Sequence, residues 1–216
     1  MNAILNNVMP LPAGLHQGSA GPHRRHCIGE FRFEPAHIGR FNEVLCSIDP
    51  QHTVLEDDHL ATAARELRAN DPAAGMPICL RQRLWRIGAL AHLLGERDWE
   101  VDDDAGAAAQ VVVGYARDHD DLIPDRLPQI GRLDDAIVAD AAWPRVVAEV
   151  ADYLDYRRVR AAEAGLRGRG IREFHFNRSD WMEAREALDA AIRRQHRRVF
   201  ASSYLPTSSP LLFRVH

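Results

Sequence analysis

Residues 118–135 read DHDDLIPDRLPQIGRLDD, and this stretch separates two segments that have helical periodicity. Pro124 and Pro128 cannot continue a helix, because proline lacks an amide donor and disfavours the helical conformation in the residue before it. The chain must therefore turn between residues 120 and 131. Six aspartates and one histidine accompany the prolines, so the stretch is either a structural turn or a metal or catalytic site.

A structural role is available for the polar residues of this stretch, which we call the acidic turn. Asp121 and Asp125 can accept hydrogen bonds from turn amides, and Gly131 permits a positive φ. Asp134 and Asp135 can cap the next helix and complement its dipole. Five aliphatic side chains are expected to anchor the turn in a core: Leu122, Ile123, Leu127, Ile130 and Leu133. The sequence therefore favours a structural turn.

The same residues resemble a known family. Asp121-Leu122-Ile123-Pro124-Asp125, followed by Pro128, Gly131 and Leu133-Asp134-Asp135, is similar to the signature of the YkvA-like family, a widespread bacterial domain of unknown function. The resemblance covers residues 106–148 and implies a short helical hairpin core, frequently near or in a membrane, with no established reaction. The charged flanks and His119-Asp120, which replaces the family's small residue and proline, favour a soluble version.

Helical periodicity continues upstream of the acidic turn. It predicts helices over Asp57–Asn70 and from Ile78 to a C-cap at Gly95, followed by a central helix in the small-residue run that starts at residue 105. In the second of these helices, the apolar stripe faces a core and Arg81, Arg83 and Arg86 lie on the other side. Residues 28–33 predict at most one marginal strand.

Downstream, a helical pattern restarts at Asp134, continues past Pro144 and is broken by three glycines within residues 165–170. A last helix is predicted from about Asp180 to Phe200, with Asp180 and Glu183 at the spacing of a capping box. Trp181, Leu188, Ile192 and Val199 share one face of this helix.

These elements predict an all-α protein, a single-domain bundle of six or seven helices. Residues 1–30 are expected to form a mobile N-terminal arm, 31–200 the helical domain, and 201–216 an irregular apolar tail that packs on the body or docks a partner. No apolar run approaches the roughly 18 residues needed to span a bilayer, and no secretory signal is evident. Three widely spaced cysteines fit a reducing cytoplasm.

Charge is distributed unevenly. All 27 basic residues are arginine; residues 96–140 carry thirteen acidic residues against four arginines, and residues 156–200 carry twelve arginines against six acidic residues. The arginine-rich part is either a solvated face or a surface for an anionic partner. The candidate anion-binding residues are Arg157, Arg158, Arg160, Arg193, Arg194 and Arg197. The net charge of -4 argues against a nucleic-acid partner.

The alternative interpretation of the acidic turn is a cation site. Carboxylate oxygens and an imidazole are suitable ligands for Mg²⁺, Mn²⁺ or Ca²⁺, although the spacing does not match an EF-hand, because no glycine stands at the sixth position. The candidate ligands are Asp118, His119, Asp120, Asp121, Asp125, Asp134 and Asp135.

Two functions follow from the sequence. The favoured one is a non-enzymatic helical interaction or regulatory protein that binds a protein partner, a second copy of itself or a small anionic ligand. No catalytic residue or cofactor is assigned, because no nucleophile elbow, Walker A loop or dinucleotide-binding glycine pattern occurs. Membrane insertion is not expected, whereas a peripheral membrane contact stays open. The alternative is a divalent-metal-dependent phosphate-ester hydrolase built on the acidic turn.

Overall fold

The computed structural model describes residues 8–16, 26–70, 75–118 and 121–201 of the chain. The described part contains six α-helices, one antiparallel two-stranded sheet and two short 3₁₀ turns. The helices are α1 (Pro35–Ile48), α2 (Asp57–Asn70), α3 (Ile78–Gly95), α4 (Asp103–Tyr115), α5 (Leu133–Leu166) and α6 (Arg178–Ala201); the strands are β1 (Cys27–Ile28) and β2 (Phe31–Arg32); the 3₁₀ turns are Ala13–Leu15 and Ile171–Glu173. The predicted all-α bundle is confirmed.

The apolar periodicity locates α2 with the predicted bounds and α3 from the predicted Ile78, whereas the C-cap of α3 is Glu96 and not the predicted Gly95. Helix α1 is an element that the sequence did not predict. It begins with Pro35 at its first position, where a missing amide donor costs nothing. Phe41, Leu45 and Ile48, at positions i, i+4 and i+7, form its buried face. No helix in the described part of the chain is both long enough and apolar enough to cross a membrane.

Pro144 lies in the interior of α5, which continues past it as predicted and ends at Leu166, before the glycines. The chain forms two compact units, Met1–Asp155 and Tyr156–His216, and the boundary between them falls within α5. The first unit contains the larger apolar core. Its fully buried side chains include Phe41, Leu45, Leu60, Leu80, Leu90, Val112, Ile123, Leu133 and Val138.

Residues 8–16 pack against α2, so the prediction of a mobile arm over residues 1–30 is wrong for this segment. The Gly14 amide donates to Glu66 Oε1 at 3.0 Å, and Leu15 is buried. A Cβ atom on Gly14 would lie 2.7 Å from Thr62 Cγ2, so only glycine allows this close approach. The rest of the predicted arm that precedes residue 26, and the predicted tail beyond Ala201, lie outside the described residues.

A buried ion-pair cluster joins α3 to α5. Arg83 Nη2 and Arg86 Nη1 each donate to one carboxylate oxygen of Asp140 at 3.0 Å. Arg83 also donates to the Cys79 carbonyl, and the Arg86 guanidinium lies 3.9 Å from the centroid of the Trp143 ring. Both arginines are nearly inaccessible to solvent, so their predicted position on the face of α3 away from the core is wrong.

The second unit has a small aromatic core. The Tyr156 hydroxyl donates to the Phe176 carbonyl at 2.8 Å, and the rings of Phe174 and Phe176 stack. Trp181, in the first turn of α6, is also buried. The capping box of α6 consists of Asn177 and Asp180, whose side chains each accept from the other's amide. The predicted box at Asp180 and Glu183 is therefore misplaced by three residues.

We expect Asp140→Ala to lower the free energy of unfolding by about 2 to 3 kcal/mol, because it leaves two buried guanidinium groups without their shared carboxylate. This loss is smaller than for a fully buried pair, since the Asp140 side chain is 38% exposed. Urea unfolding followed by circular dichroism measures it. The control is Asp104→Ala, which removes the carboxylate that Arg145 contacts at the surface and should change stability little. Equal losses in the two variants would contradict the expectation.

Candidate functional site at the acidic turn

The chain leaves α4 at Tyr115 and enters α5 at Leu133. Within the acidic turn, the Leu127 amide donates to the Pro124 carbonyl, and the Gly131 amide donates to the Leu127 carbonyl, each at 2.9 Å. Four of the five predicted anchors are buried, namely Leu122, Ile123, Ile130 and Leu133, whereas Leu127 is half-buried. The turn is thus attached to the core of the first unit through its apolar side chains.

Gly131 has a different role from the one predicted. The positive φ in this turn belongs to Gln129, at 68°. A Cβ atom on Gly131 would lie 2.4 Å from the Asp125 carbonyl oxygen and 2.8 Å from that of Pro124. Glycine is required at position 131 because the backbone of the turn passes directly over it.

Asp134 is the hub of the turn. Its Oδ2 atom accepts from the Tyr115 hydroxyl at 2.9 Å and from the Ile123 amide at 3.0 Å. The Tyr115 hydroxyl in turn accepts from the Leu122 amide at 3.4 Å. Asp134 therefore connects the end of α4, the middle of the turn and the start of α5. The sequence assigned the turn amides to Asp121 and Asp125, but the Ile123 amide is bound by Asp134.

A second set of contacts surrounds Arg132, a residue that the sequence analysis did not single out. Its Nη1 atom donates to Asp135 Oδ2 at 3.0 Å, and its Nη2 atom lies 2.7 Å from Asp125 Oδ2. Asp135 is only 2% exposed. The guanidinium thus supplies positive charge within the acidic turn, at a place where the sequence-based alternative would put a metal ion.

The buried carboxyl groups bind protons more tightly than usual. Burial raises the pKa of Asp134 to about 7, and burial together with Asp125 and Asp135 raises the pKa of Asp121 to about 6. Burial also raises the pKa of Asp135, against the opposing effect of Arg132. The Oδ1 atoms of Asp121, Asp134 and Asp135 are buried without a hydrogen-bond partner. An unsatisfied oxygen of this kind is costly when the group is charged.

The structure brings together only some of the predicted metal ligands. Asp121, Asp125, Asp134 and Asp135 interact electrostatically in one cluster with Arg132. Asp118, exposed just after the end of α4, also interacts electrostatically with Asp121. In the residues that the structure describes, no group of three or more His, Cys, Asp or Glu side chains is arranged to hold a metal ion. Two of the predicted ligands, His119 and Asp120, lie outside the described residues.

The predicted anion-binding arginines lie in the second unit. Arg157 and Arg158 are exposed on α5. Arg160 is directed to its own unit, because its Nε and Nη2 atoms donate to the Phe174 carbonyl at 3.2 and 3.1 Å. Three further arginines are exposed on the C-terminal half of α6: Arg193, Arg194 and Arg197. Anion binding by these residues stays a prediction.

A surface that sequence reasoning missed lies on α6. The side chains of Leu188 and Ile192 are 57% and 43% exposed, and they follow each other at helical spacing together with Ala184 and Ala191. We call these four residues the α6 stripe. The shared face of Leu188 and Ile192 was predicted from the sequence, but their exposure was not, because a period identifies an apolar face without saying what covers it.

Comparison with protein-family models, with curated proteins and with solved structures finds no match to this chain. The resemblance to the YkvA-like family thus stays a prediction from the residues of the acidic turn.

Asp134 should make stability depend on pH. Its pKa is higher in the folded chain, at about 7, than the ordinary value of 3.8, so the folded chain binds more protons between these values. The stability gained from this proton is complete below pH 3.8 and is lost as pH rises to about 7. In Asp134→Asn, the slope of the unfolding free energy against pH in this window should fall by up to about 1.4 kcal/mol per pH unit.

Urea unfolding at several pH values between 4 and 8 measures this slope. At pH 8 Asp134→Asn should be at least as stable as the unchanged chain, because an amide oxygen still accepts from Tyr115 and Ile123. Asp134→Ala removes the acceptor for both donors and should lose about 2 kcal/mol or more at every pH. A slope in Asp134→Asn equal to that of the unchanged chain would contradict this account of Asp134.

Proposed function

We propose that this chain is a non-enzymatic helical interaction protein that binds a protein partner through the α6 stripe. The observation that carries the proposal is the exposure of Leu188 and Ile192 on a helix that buries little of itself. Trp181 is buried, but no side chain from 182 to 197 is. Met182, in the turn that follows Trp181, is also 51% exposed.

The energetics support a partner at this surface. Fully burying one Leu or Ile side chain contributes about 1.5 to 3 kcal/mol, and about half of that gain is unrealised at Leu188 and Ile192 because they are half-exposed. Most helical stability in proteins comes from packing of an amphipathic face, and an unsupported helix is marginal in water. A partner that covers the α6 stripe would supply this packing and also stabilise the helix.

The rest of the chain is consistent with this role. The contacts of the acidic turn connect α4 to α5, and this is a structural role that a scaffold requires. In the proposal, this turn and its flanking helices form a YkvA-like core, and α6 provides the binding surface. The exposed arginines of α6, Arg193, Arg194 and Arg197, favour a partner that carries anionic groups as well as an apolar strip, and they would also receive a small anionic ligand.

The partner surface is tested by the double variant Leu188→Glu/Ile192→Glu. Affinity capture with the full chain should retain a partner, and the double variant should lose it, because two carboxylates in the stripe cannot be buried without cost. The matched control is Leu166→Glu/Ile171→Glu, which places two carboxylates at exposed apolar residues outside α6.

Capture should be lost only in the stripe variant, with helical content by circular dichroism equal in all three proteins. Size-exclusion chromatography of the full chain complements the capture. A chain that elutes strictly as a monomer and captures nothing, or that captures equally with and without Leu188 and Ile192, would refute the proposal.

The second candidate is the divalent-metal-dependent phosphate-ester hydrolase, and the observation that favours it is the three buried oxygens without partners, on Asp121, Asp134 and Asp135. In that case the ion would be held by these carboxylates and would polarise the phosphoryl oxygen. It would have to compete with Arg132 and with the protons that raise the pKa of Asp121 and Asp134. We therefore propose it second.

Isothermal calorimetry with Mn²⁺ and Mg²⁺ separates the two candidates. With the interaction protein, we expect no saturable heat at millimolar metal, because Arg132 already neutralises Asp125 and Asp135. Saturable binding that Asp134→Asn abolishes, together with metal-dependent release of phosphate from a generic phosphate ester, would instead establish the hydrolase. The measurement belongs at pH 8, where proton competition at Asp134 is weakest.

A further inference from the structure

We infer that the partner of the α6 stripe is a second copy of this chain, with the two α6 helices packed antiparallel. This inference rests on the proposed function, because it names the partner for the same surface. The contact would be isologous, which means that each copy presents the same stripe to the other about a twofold axis.

The order of charges along α6 supports this arrangement. From Asp180 to Ala191 the helix carries four acidic residues and one arginine, whereas from Ile192 to Arg198 it carries four arginines and no acidic residue. An antiparallel pair places the acidic half of each helix beside the arginine-rich half of the other. A parallel pair would place like charges beside each other along the whole helix.

The apolar residues fit the same symmetry. Leu188 and Ile192 are separated by about one helical turn, and a twofold axis that passes between them, level with Ala190, brings Leu188 beside the partner's Ile192 and Ile192 beside the partner's Leu188. Ala184 and Ala191 are small, so they allow the helices to approach closely along the stripe. The charge reverses between Asp189 and Arg193, a stretch centred within one residue of this axis.

In the antiparallel pair, the acidic half of each α6 helix attracts the arginine-rich half of the other. Glu183 and Glu186 lie in the acidic half, and Arg194 and Arg197 lie at equal distances from Ala190 in the other half, so each acid comes level with an arginine of the second copy. All four side chains are exposed, and Glu186 and Arg197 lie on the side of α6 away from the stripe, so the attraction acts between the two charged halves and not through direct ion pairs. Helix axes packed side by side are about 8 to 10 Å apart, a distance comparable with the Debye length of about 10 Å at 0.1 M salt. The attraction should weaken as salt is added.

The experiment uses the full chain and two charge variants. Glu183→Arg/Glu186→Arg makes the charge of α6 predominantly positive, and Arg194→Glu/Arg197→Glu makes it predominantly negative. Sedimentation equilibrium over a range of protein concentrations at low salt should show a reversible dimer for the unchanged chain. Each variant alone should have a dimer Kd about tenfold higher, because its two helices repel. An equimolar mixture of the two variants should recover the affinity as a heterodimer.

The control Arg194→Lys/Arg197→Lys keeps the charge and should dimerise like the unchanged chain. Leu188→Glu should raise the dimer Kd by about 100-fold or more, since it places a carboxylate at the centre of the contact. Circular dichroism confirms that α6 keeps its helical content in each variant, so that loss of the dimer reports on the contact and not on folding.

Three results would overturn the inference: a monomer at every concentration, a dimer that Leu188→Glu does not weaken, or a dimer that the charge variants do not weaken. The last would exclude the antiparallel order. If the chain is a monomer but captures a different protein that Leu188→Glu/Ile192→Glu loses, the second copy is refuted while the proposed interaction surface stands. If capture also fails, both are refuted.

Discussion

The Oδ2 atom of Asp134 receives the Tyr115 hydroxyl from the end of α4 and the Ile123 amide from the middle of the turn, while Asp134 itself lies in the first turn of α5. Proline prevents a helix from continuing between α4 and α5, so the path of the chain there depends on side-chain acceptors for its amides. The buried carboxyl of Asp134 supplies the acceptor for Ile123, and the Tyr115 hydroxyl that it binds accepts from Leu122. Because Asp134 holds the turn between α4 and α5, Ile123 and Leu133 can pack in the core.

A cluster of acidic residues near a histidine is a common reason to suspect a metal or catalytic site. Here the geometry gives the carboxyl groups other partners. Arg132 pairs with Asp125 and Asp135, and the raised pKa of Asp121 and Asp134 shows that burial partly removes the charge on which a metal would depend. Perturbed pKa values occur in structural networks as well as in active sites, so they do not distinguish the two interpretations, and it is the pairing with Arg132 that favours the structural one.

The features predicted correctly are those that depend on residues close together in the sequence. The bounds of α2 and α3 follow from apolar spacing and caps within a few residues of each helix end. Other features depend on residues far apart in the sequence, and these were not predicted. Arg83 and Arg86 are buried because Asp140, on another helix, accepts from both. Gly131 is required because the Asp125 carbonyl passes over it, and nothing in the sequence distinguishes this role from a positive φ.

The aromatic core of the second unit includes Trp181 at the start of α6 but does not cover Leu188 and Ile192, which are therefore exposed. The buried aromatic side chains of this unit include Phe174, Phe176 and, in the first turn of α6, Trp181. The helix then extends to Ala201 without another buried side chain up to residue 197. A helix held only at its first turn gains little from tertiary packing within its own chain. In the proposed dimer, the stripe at Leu188 and the reversal of charge around it are the two features that a second, antiparallel α6 helix would use, so the small core of this unit gives a physical reason for the proposed association.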